Sequence, residues 1–367
     1  MLQRFFAVTK GHLSKYRMLA NELTPAASLE ANEIILNIDR FAFTANNMTY
    51  AHAGGPPLNY WHFYDKLAND KTLGIIPVWG FATVAHSRNS NIAEGSRHYG
   101  FYPMASSVKF NPSKADVPSF TVTRDDPELA AVYNTYLNTA SDPFYTTSSC
   151  ENNMMIFRPL FLTSFFLNDY CWNQFRSSVD QIILTSASSK TAFALAFQLK
   201  QRGLKVIGLT SQWNVAFCET LSLYDSLYSY DQISEIPSNT TKTVVVDMAG
   251  SHDVNLAIDK HFAKHIVQNV GVGMTHNTVL SGDKTALSEH AQITRTFFFA
   301  PAWIKRRIAE DASIMETAAA SYVKFTATSD ENQWLDFNTD MTVEEVYIAS
   351  ESNSVNPNTG LITKVEP

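Results

Sequence analysis

One stretch constrains the architecture more than any other: residues 180–214, DQIILTSASSKTAFALAFQLKQRGLKVIGLTSQWN. Gln181 to Leu184 is a short, Ile-rich apolar run of the kind that forms a buried strand. The small residues Ser186-Ala187-Ser188-Ser189 follow and suit a tight turn. Thr191 to Gln201 then places Phe193, Ala194, Phe197 and Leu199 near the helical period, and Gly203 stands where such a helix stops. Leu204 to Leu209 reads as a second buried strand. Two strands joined through one short helix predict parallel pairing with a right-handed crossover.

The turn before that helix is an anion site in principle, because free amides and the helix dipole both face it. The usual dinucleotide fingerprint there is G-x-G-x-x-G. This chain has Ser186, Ser188 or Ser189, and Ala192 instead. Small side chains still allow close backbone approach. The serine hydroxyls can donate to a pyrophosphate, with Lys190 adding charge and Thr191 opening the helix. Serine takes positive φ at greater cost than glycine, so a turn that binds nothing is the competing reading. The second strand's end selects the cofactor. An NAD site places Asp or Glu there for the ribose 2′-OH. Here Thr210-Ser211-Gln212-Trp213-Asn214 carries no carboxylate. Thr210, Ser211 and Asn214 tolerate a 2′-phosphate, which favours NADP(H) over NAD. The alternative is a polar loop in which Trp213 covers the sheet edge.

With 367 residues the chain has room for two domains and a large core. Only 17% of residues are charged, while 24 Phe, 15 Tyr and 6 Trp imply much buried surface or a large oligomer interface. A net charge of −7 without a basic run argues against nucleic acid as a partner. The three cysteines, Cys150, Cys171 and Cys218, are isolated and offer no metal-ligand spacing. Sparse cysteine fits a reducing compartment. MLQRFFAVTKGHLSKYR lacks a signal peptide's apolar core, and no run is long enough to span a membrane. A cytoplasmic protein is expected.

Along the chain, EIILNIDRFAF (33–43) alternates as a strand does. A polar turn, TANNMTYAHAGGPP, is expected after it. Asn46, Asn47, Thr49 and Tyr50 cluster there, as either a site or an ordinary Asn-rich turn. Asn59 to Leu67 is aromatic enough to fill a core or line an apolar pocket. IIPVWGFATVA (75–85) reads as a strand. LAAVYNTYL is expected as helical, and Arg158-Pro159 as the start of a new segment whose helix is LFLTSFFLNDYCW. Beyond the βαβ unit, FCETLSLY is amphipathic, Ser226 to Tyr230 is an edge strand, and Thr243 to Met248 is a buried strand containing Asp247. Val254 to His265 is helical, and Ile266 to Thr275 is a further strand. The aromatic run Thr296 to Trp303 leads into a helix over Ile304 to Tyr322. TVEEVYIASES is helical, and LITKVE closes the chain as a strand. Strands dominate the first 150 residues, and strands alternate with helices from about 160 to 280.

This plan resembles the medium-chain dehydrogenase/reductase superfamily, on its zinc-independent quinone oxidoreductase and enoyl reductase side. EIILNIDRFAFTANNMTYAHAGG is similar to that family's first strand and substrate loop. IPVWGFATVA is similar to its P-x-x-G-x-E/D-x-x-G strand, and IAEGSRHYGF to its x-x-G-D-R-V-x-G turn. ILTSASSKTAFALAFQLKQRGLKVIGLTSQWN is similar to its cofactor unit, and NTGLITKVE to its closing strand. TANNMTYA, RPLF with TSF, and TSASSKTA resemble a divergent branch of it. The resemblance implies an α/β protein in three segments. A GroES-like, mainly β catalytic domain covers residues 1–157. A Rossmann domain with a doubly wound parallel sheet covers residues 158–300. Residues 301–367 return to the catalytic domain. Zinc ligands of the alcohol dehydrogenase branch have no counterparts, and Phe81-Ala82 stands where a carboxylate often sits.

What the resemblance implies is reduction of an activated double bond or carbonyl with NADP(H). Tyr50 matches the position of a proton-donating tyrosine, and Asn46 or Asn47 would bond the substrate carbonyl. Thr163 and Ser164 would lie near the nicotinamide, with Met274, Thr275 and His276 beside its amide. Asp247 completes the cofactor set. The aromatic clusters point to a small apolar or acyl-thioester substrate, and the superfamily habit is a homodimer. A non-catalytic relative that kept the fold, or a lyase or isomerase using the same pocket, are the competing classes.

Overall fold

The computed structural model describes residues 2–56, 58–124, 129, 131–238, 241–272 and 295–367. It divides into two compact units, Met1–Ile156 with Leu335–Pro367, and Phe157–Trp334.

The first unit carries, in chain order, β1 (Leu2–Thr9), β2 (His12–Glu22), β3 (Ile34–Phe43), α1 (Ala45–His52), α2 (Asp65–Ala68), β4 (Leu73–Gly74), β5 (Pro77–Ser87), β6 (Arg97–Pro103), β7 (Ser107–Phe110), β8 (Pro112–Asp116), β9 (Ser119–Val122) and β10 (Thr135–Asn138). The long helix α3 (Glu151–Phe175) begins in it and continues into the second unit. β17 (Asp336–Asn338), α9 (Val343–Glu351) and β18 (Thr359–Thr363) return to it. One sheet has the order β2-β1-β4; the larger runs β17-β18-β3-β5-β6-β10-β9-β8, with β7 also on β3. The apolar positions of β3 are its core: Ile34, Leu36, Phe41 and Phe43 are all buried. A register shift against β5 between Ile38 and Arg40 sets Asp39 apart from the ladder. Its Oδ2 accepts from Thr83 Oγ1 at 2.8 Å and from Arg97.

Three local expectations are corrected in this part of the chain. The polar turn after β3 is the helix α1. Thr44 and Asn47 cap each other there: the Thr44 amide donates to Asn47 Oδ1 at 2.8 Å. The stretch LAAVYNTYL is not a helix in its described part. It is a single turn over Ala131–Asn134 followed by β10. The segment pairs with β6 and β9, and the buried Tyr136 ring fills the space above Gly100, where an added Cβ would lie 2.2 Å from its Cδ1. Tertiary pairing and packing override local propensity. Finally, Pro159 lies inside α3 rather than at its start.

The second unit holds a six-stranded parallel sheet: β11 (Gln181–Leu184), β12 (Lys205–Thr210), β13 (Ser226–Ser229), β14 (Thr243–Asp247), β15 (Ile266–Gly271) and β16 (Arg295–Phe297). Its order is β13-β12-β11-β14-β15-β16. Strand succession therefore reverses between β11 and β14, the switch point at which such sheets bind ligands. β11 is buried at every position: Ile182, Ile183 and Leu184 are its apolar run, and the buried Gln181 donates to Thr243 Oγ1 at 3.1 Å. The intervening helices are α4 (Lys190–Gln201), α5 (Val215–Leu221) and α6 (His252–Phe262). Helices α7 (Ala300–Glu310) and α8 (Ile314–Glu331) also belong to this unit, and the return falls at Leu335, not at residue 301. Packing gives the reason. Phe325 of α8 meets Phe157, Phe161, Phe193 and Phe197 at centroid distances of 5.0 to 6.3 Å, so its apolar face is used inside the second unit.

Candidate functional site

The serine turn joins β11 to α4 at the carboxyl end of the sheet. Ser186 sits at φ +49°, in the left-handed region that glycine usually fills. Ser189 is the N-cap of α4: its Oγ accepts from the Ala192 amide at 3.2 Å. Its carbonyl takes the Phe193 amide at 3.0 Å. By helix geometry the amides of Lys190 and Thr191 face out of the helix end. Ser188 Oγ accepts from Thr210 Oγ1 at 3.3 Å and from Asn214 Nδ2 at 3.1 Å. Both serine oxygens act as acceptors in these bonds, which leaves each hydroxyl proton to be donated elsewhere. Burial pushes the Lys190 ammonium down to about 8. A donor set of hydroxyls, helix amides and one lysine fits a phosphate.

Gly208 on β12 lets the serine turn pack close to that strand. A Cβ there would lie 3.0 Å from Ala187 Cβ and 2.6 Å from Leu227 Cδ2. Beyond β12, Ser211 and Asn214 are half-buried, whereas Thr210 is buried. The structure thus brings Ser188, Thr210 and Asn214 into direct contact. The expectation that Trp213 covers the sheet edge is overturned: it is 93% exposed.

Other predicted residues are committed to internal bonds. Asp247 Oδ1 accepts from Thr185 Oγ1 at 2.7 Å and from the Ala249 and Gly250 amides at 3.0 Å. Its Oδ2 accepts from Asn255 Nδ2 at 2.6 Å. Asp247 therefore shapes the loop after β14. Thr163 Oγ1 donates back to the Pro159 carbonyl at 3.0 Å. Ser164 Oγ reaches the Thr191 carbonyl at 2.7 Å and so ties α3 to the first turn of α4. Met274, Thr275 and His276 lie outside the described residues.

In the first unit, Tyr50 is buried on α1, one turn after Asn46. Its hydroxyl oxygen receives two hydrogen bonds, from Asn46 Nδ2 at 2.6 Å and from Trp79 Nε1 at 3.2 Å. Neither donor nitrogen can accept. The phenol proton therefore has no acceptor in either contact. Burial, reinforced by Tyr133, raises the phenol pKa far above its ordinary value; the bonds from Trp79 and Asn46 pull the other way without cancelling this. The rings of Tyr60 and Phe101 pack on Tyr50 at 4.6 and 5.2 Å. Asn47 is buried, with its Nδ2 on the Pro77 carbonyl at 2.9 Å and its Oδ1 in the α1 cap. It holds α1 on β5 and has no group left for a substrate.

Sequence reasoning missed Trp79, Tyr133 and Tyr230. Tyr230 Oη accepts from the Ser186 amide at 3.0 Å, a contact across 44 residues with no local signal. It also missed the ion cluster at the start of α3. Glu151 is 2% exposed and is clasped by Arg97 through Nε at 2.7 Å and Nη2 at 2.8 Å, with Arg40 at 2.8 Å. Among the described residues, no group of three or more His, Cys, Asp or Glu is placed to hold a metal ion. No described helix is long and apolar enough to cross a membrane.

Solved structures share this fold. CurA from Vibrio vulnificus in complex with NADPH aligns with a TM-score of 0.66 at 11% identity, covering 99% of each chain. The quinone oxidoreductase from Coxiella burnetii aligns at 0.55 and 14% identity, covering 100% of each. A mutant enoyl thioester reductase from Candida tropicalis aligns at 0.57 and 10% identity, again over 100% of each. The chain shares the fold of these structures, with a GroES-like and a Rossmann part. Among curated proteins none matches this chain in sequence. Residues 41–353, most of the chain, match the model of the family described as "Protein of unknown function (DUF2855)", and the chain belongs to that family.

Proposed function

We propose that this protein is an NADP(H)-dependent, zinc-independent reductase of an activated double bond or carbonyl in an apolar substrate: an enoyl thioester, an enone or a quinone. The observation that carries the reading is Tyr50, a buried phenol whose oxygen takes two hydrogen bonds and whose proton is therefore directed elsewhere. The donor set of the serine turn supports the cofactor assignment. The fold, shared with an NADPH-bound protein, a quinone oxidoreductase and an enoyl thioester reductase, supports the reaction class.

When bound, the coenzyme supplies the hydride. The Ser188 and Ser189 hydroxyls, the α4 amides and Lys190 hold its diphosphate. Ser211 and Asn214 take the 2′-phosphate, where a carboxylate would repel it. Tyr50 keeps a proton at its hydroxyl for the atom that becomes electron-rich as the substrate is reduced. Asn46 and Trp79 hold the phenol oxygen in place, and the rings of Tyr60 and Phe101 give Tyr50 an apolar setting.

One observation favours a non-catalytic relative: the Ser186 amide already donates to Tyr230, so that donor of the turn is spent internally. Calorimetric titration with NADPH and NADH separates the two readings. Binding of NADPH in preference to NADH, followed by its oxidation in the presence of an enoyl thioester, enone or quinone, is the expected result. If neither nucleotide binds and no acceptor is reduced, the reductase assignment fails.

A further inference from the structure

Trp213 is the most exposed large apolar side chain among the described residues, at 93%. Tryptophan is highly buried on average. This one is nevertheless held at a defined place. It lies in the one-turn helix Gln212–Asn214 that directly follows β12. On one side of it, Ser211 is extended, at φ −69° and ψ 151°. On the other, Asn214 Nδ2 is fixed to Ser188 Oγ of the serine turn at 3.1 Å. The backbone around Trp213 is thus tied to the candidate phosphate loop, while the indole itself faces solvent. Among the described residues no aromatic ring packs against it.

We propose that the Trp213 indole is the wall on which the adenine ring of the coenzyme stacks. The inference rests on the nucleotide-binding reading above and names the residue that takes the base. In sheets of this order the adenosine ribose lies at the end of the second strand, here at Ser211. The base extends beyond the ribose, and Trp213 is two residues further along the chain. A flat purine covers an indole face without needing hydrogen-bond partners, which suits a side chain with only solvent against it. The stacked base then takes the apolar face out of water, and the Asn214–Ser188 bond links the base wall to the diphosphate site.

The test uses the full-length protein with Trp213→Ala and Trp213→Phe, and 2′,5′-ADP as probe, since it carries the adenine and phosphates but no nicotinamide. Trp213→Ala should weaken 2′,5′-ADP by about tenfold or more. Trp213→Phe should retain affinity within about threefold, because a smaller ring still stacks. The melting temperature of both should match the wild type, since an exposed side chain adds little to the core. The wild type should lose indole fluorescence on binding the probe, and Trp213→Phe should not. Equal 2′,5′-ADP affinity in wild type and Trp213→Ala overturns the inference while the nucleotide site stands. A change of sedimentation coefficient in Trp213→Ala at unaltered affinity also overturns it, because a second copy of the chain then covers the indole. If the wild type binds neither 2′,5′-ADP nor NADPH, the underlying nucleotide reading falls and takes this one with it.

Discussion

Tyr50 is the residue whose chemistry is most open to test. Its phenol stays protonated well into alkaline pH because burial, then Tyr133, disfavours the phenolate. The turnover profile should therefore show no tyrosine limb below about pH 10. Tyr50→Phe should lower kcat by roughly 10²- to 10⁴-fold, the usual scale for a lost general acid, and leave the NADPH dissociation constant unchanged by calorimetry. Lys190 offers a pH test. Burial disfavours its charge and pushes its pKa down to about 8. A phosphate favours the charged form, so binding takes up a proton near that pH. Affinity should be full below pH 8 and decline as pH rises through it. Calorimetry at pH 8 in two buffers of different ionisation enthalpy should detect the uptake, and Lys190→Met should abolish it. The polar cluster after a strand marks Tyr50 in the sequence, but only the resemblance to the enoyl reductases gives it a proton-donor role. Trp79, its partner, could not be named from the sequence, because nothing local marks a contact across 29 residues.

At the scale of elements, two substitutions probe how the sheet presents its turns. Gly208→Ala places a methyl 2.6 Å from Leu227 Cδ2, 2.9 Å from Tyr224 Cδ1 and 3.0 Å from Ala187 Cβ. Overpacking of this kind costs about 1–3 kcal/mol. It should lower the urea midpoint and also weaken nucleotide binding, since Ala187 lies inside the serine turn. At the start of α3, burial works against the Glu151 charge, but the bonds from Arg97 and Arg40 outweigh it and hold its pKa below the usual carboxylate range. A carboxylate depressed on folding stabilises the protein above its unfolded pKa and loses that contribution as pH falls through its folded value. Stability should therefore drop below about pH 4. Glu151→Gln should flatten that part of the stability profile while costing about 3 kcal/mol at neutral pH, since Arg40 loses its carboxylate and Arg97 keeps only Asp39. Most strands and helices of the second unit were legible because their apolar periods are strong; β16 was not, since its three residues are all exposed. Nor was β10, because its pairing with β6 and β9, which no local pattern encodes, overrides helix-prone letters.

For the whole molecule, the closing segment decides whether the first unit is complete. β18 pairs with β3 over Leu361, Ile362 and Thr363. Tyr347 of α9 packs on Phe6 and Phe43 at 4.9 and 6.0 Å and donates to the Leu13 carbonyl at 2.7 Å. A chain ending at Trp334 leaves the β3 edge open and these rings uncovered. It should bind a hydrophobic dye and aggregate on warming, whereas the full chain should not. The sequence by itself determined the alternating strands and helices from β11 to β15, their parallel pairing, and the place of the serine turn. These depend on periodicity, short connections and handedness, which act between neighbours in the chain. Tertiary structure alone decided that Asp247 and Asn47 are spent on internal bonds, that α7 and α8 stay with the second unit, and that Trp213 stands in solvent. Each of those outcomes turns on which partners distant segments bring within hydrogen-bond or van der Waals reach, and no local pattern encodes that.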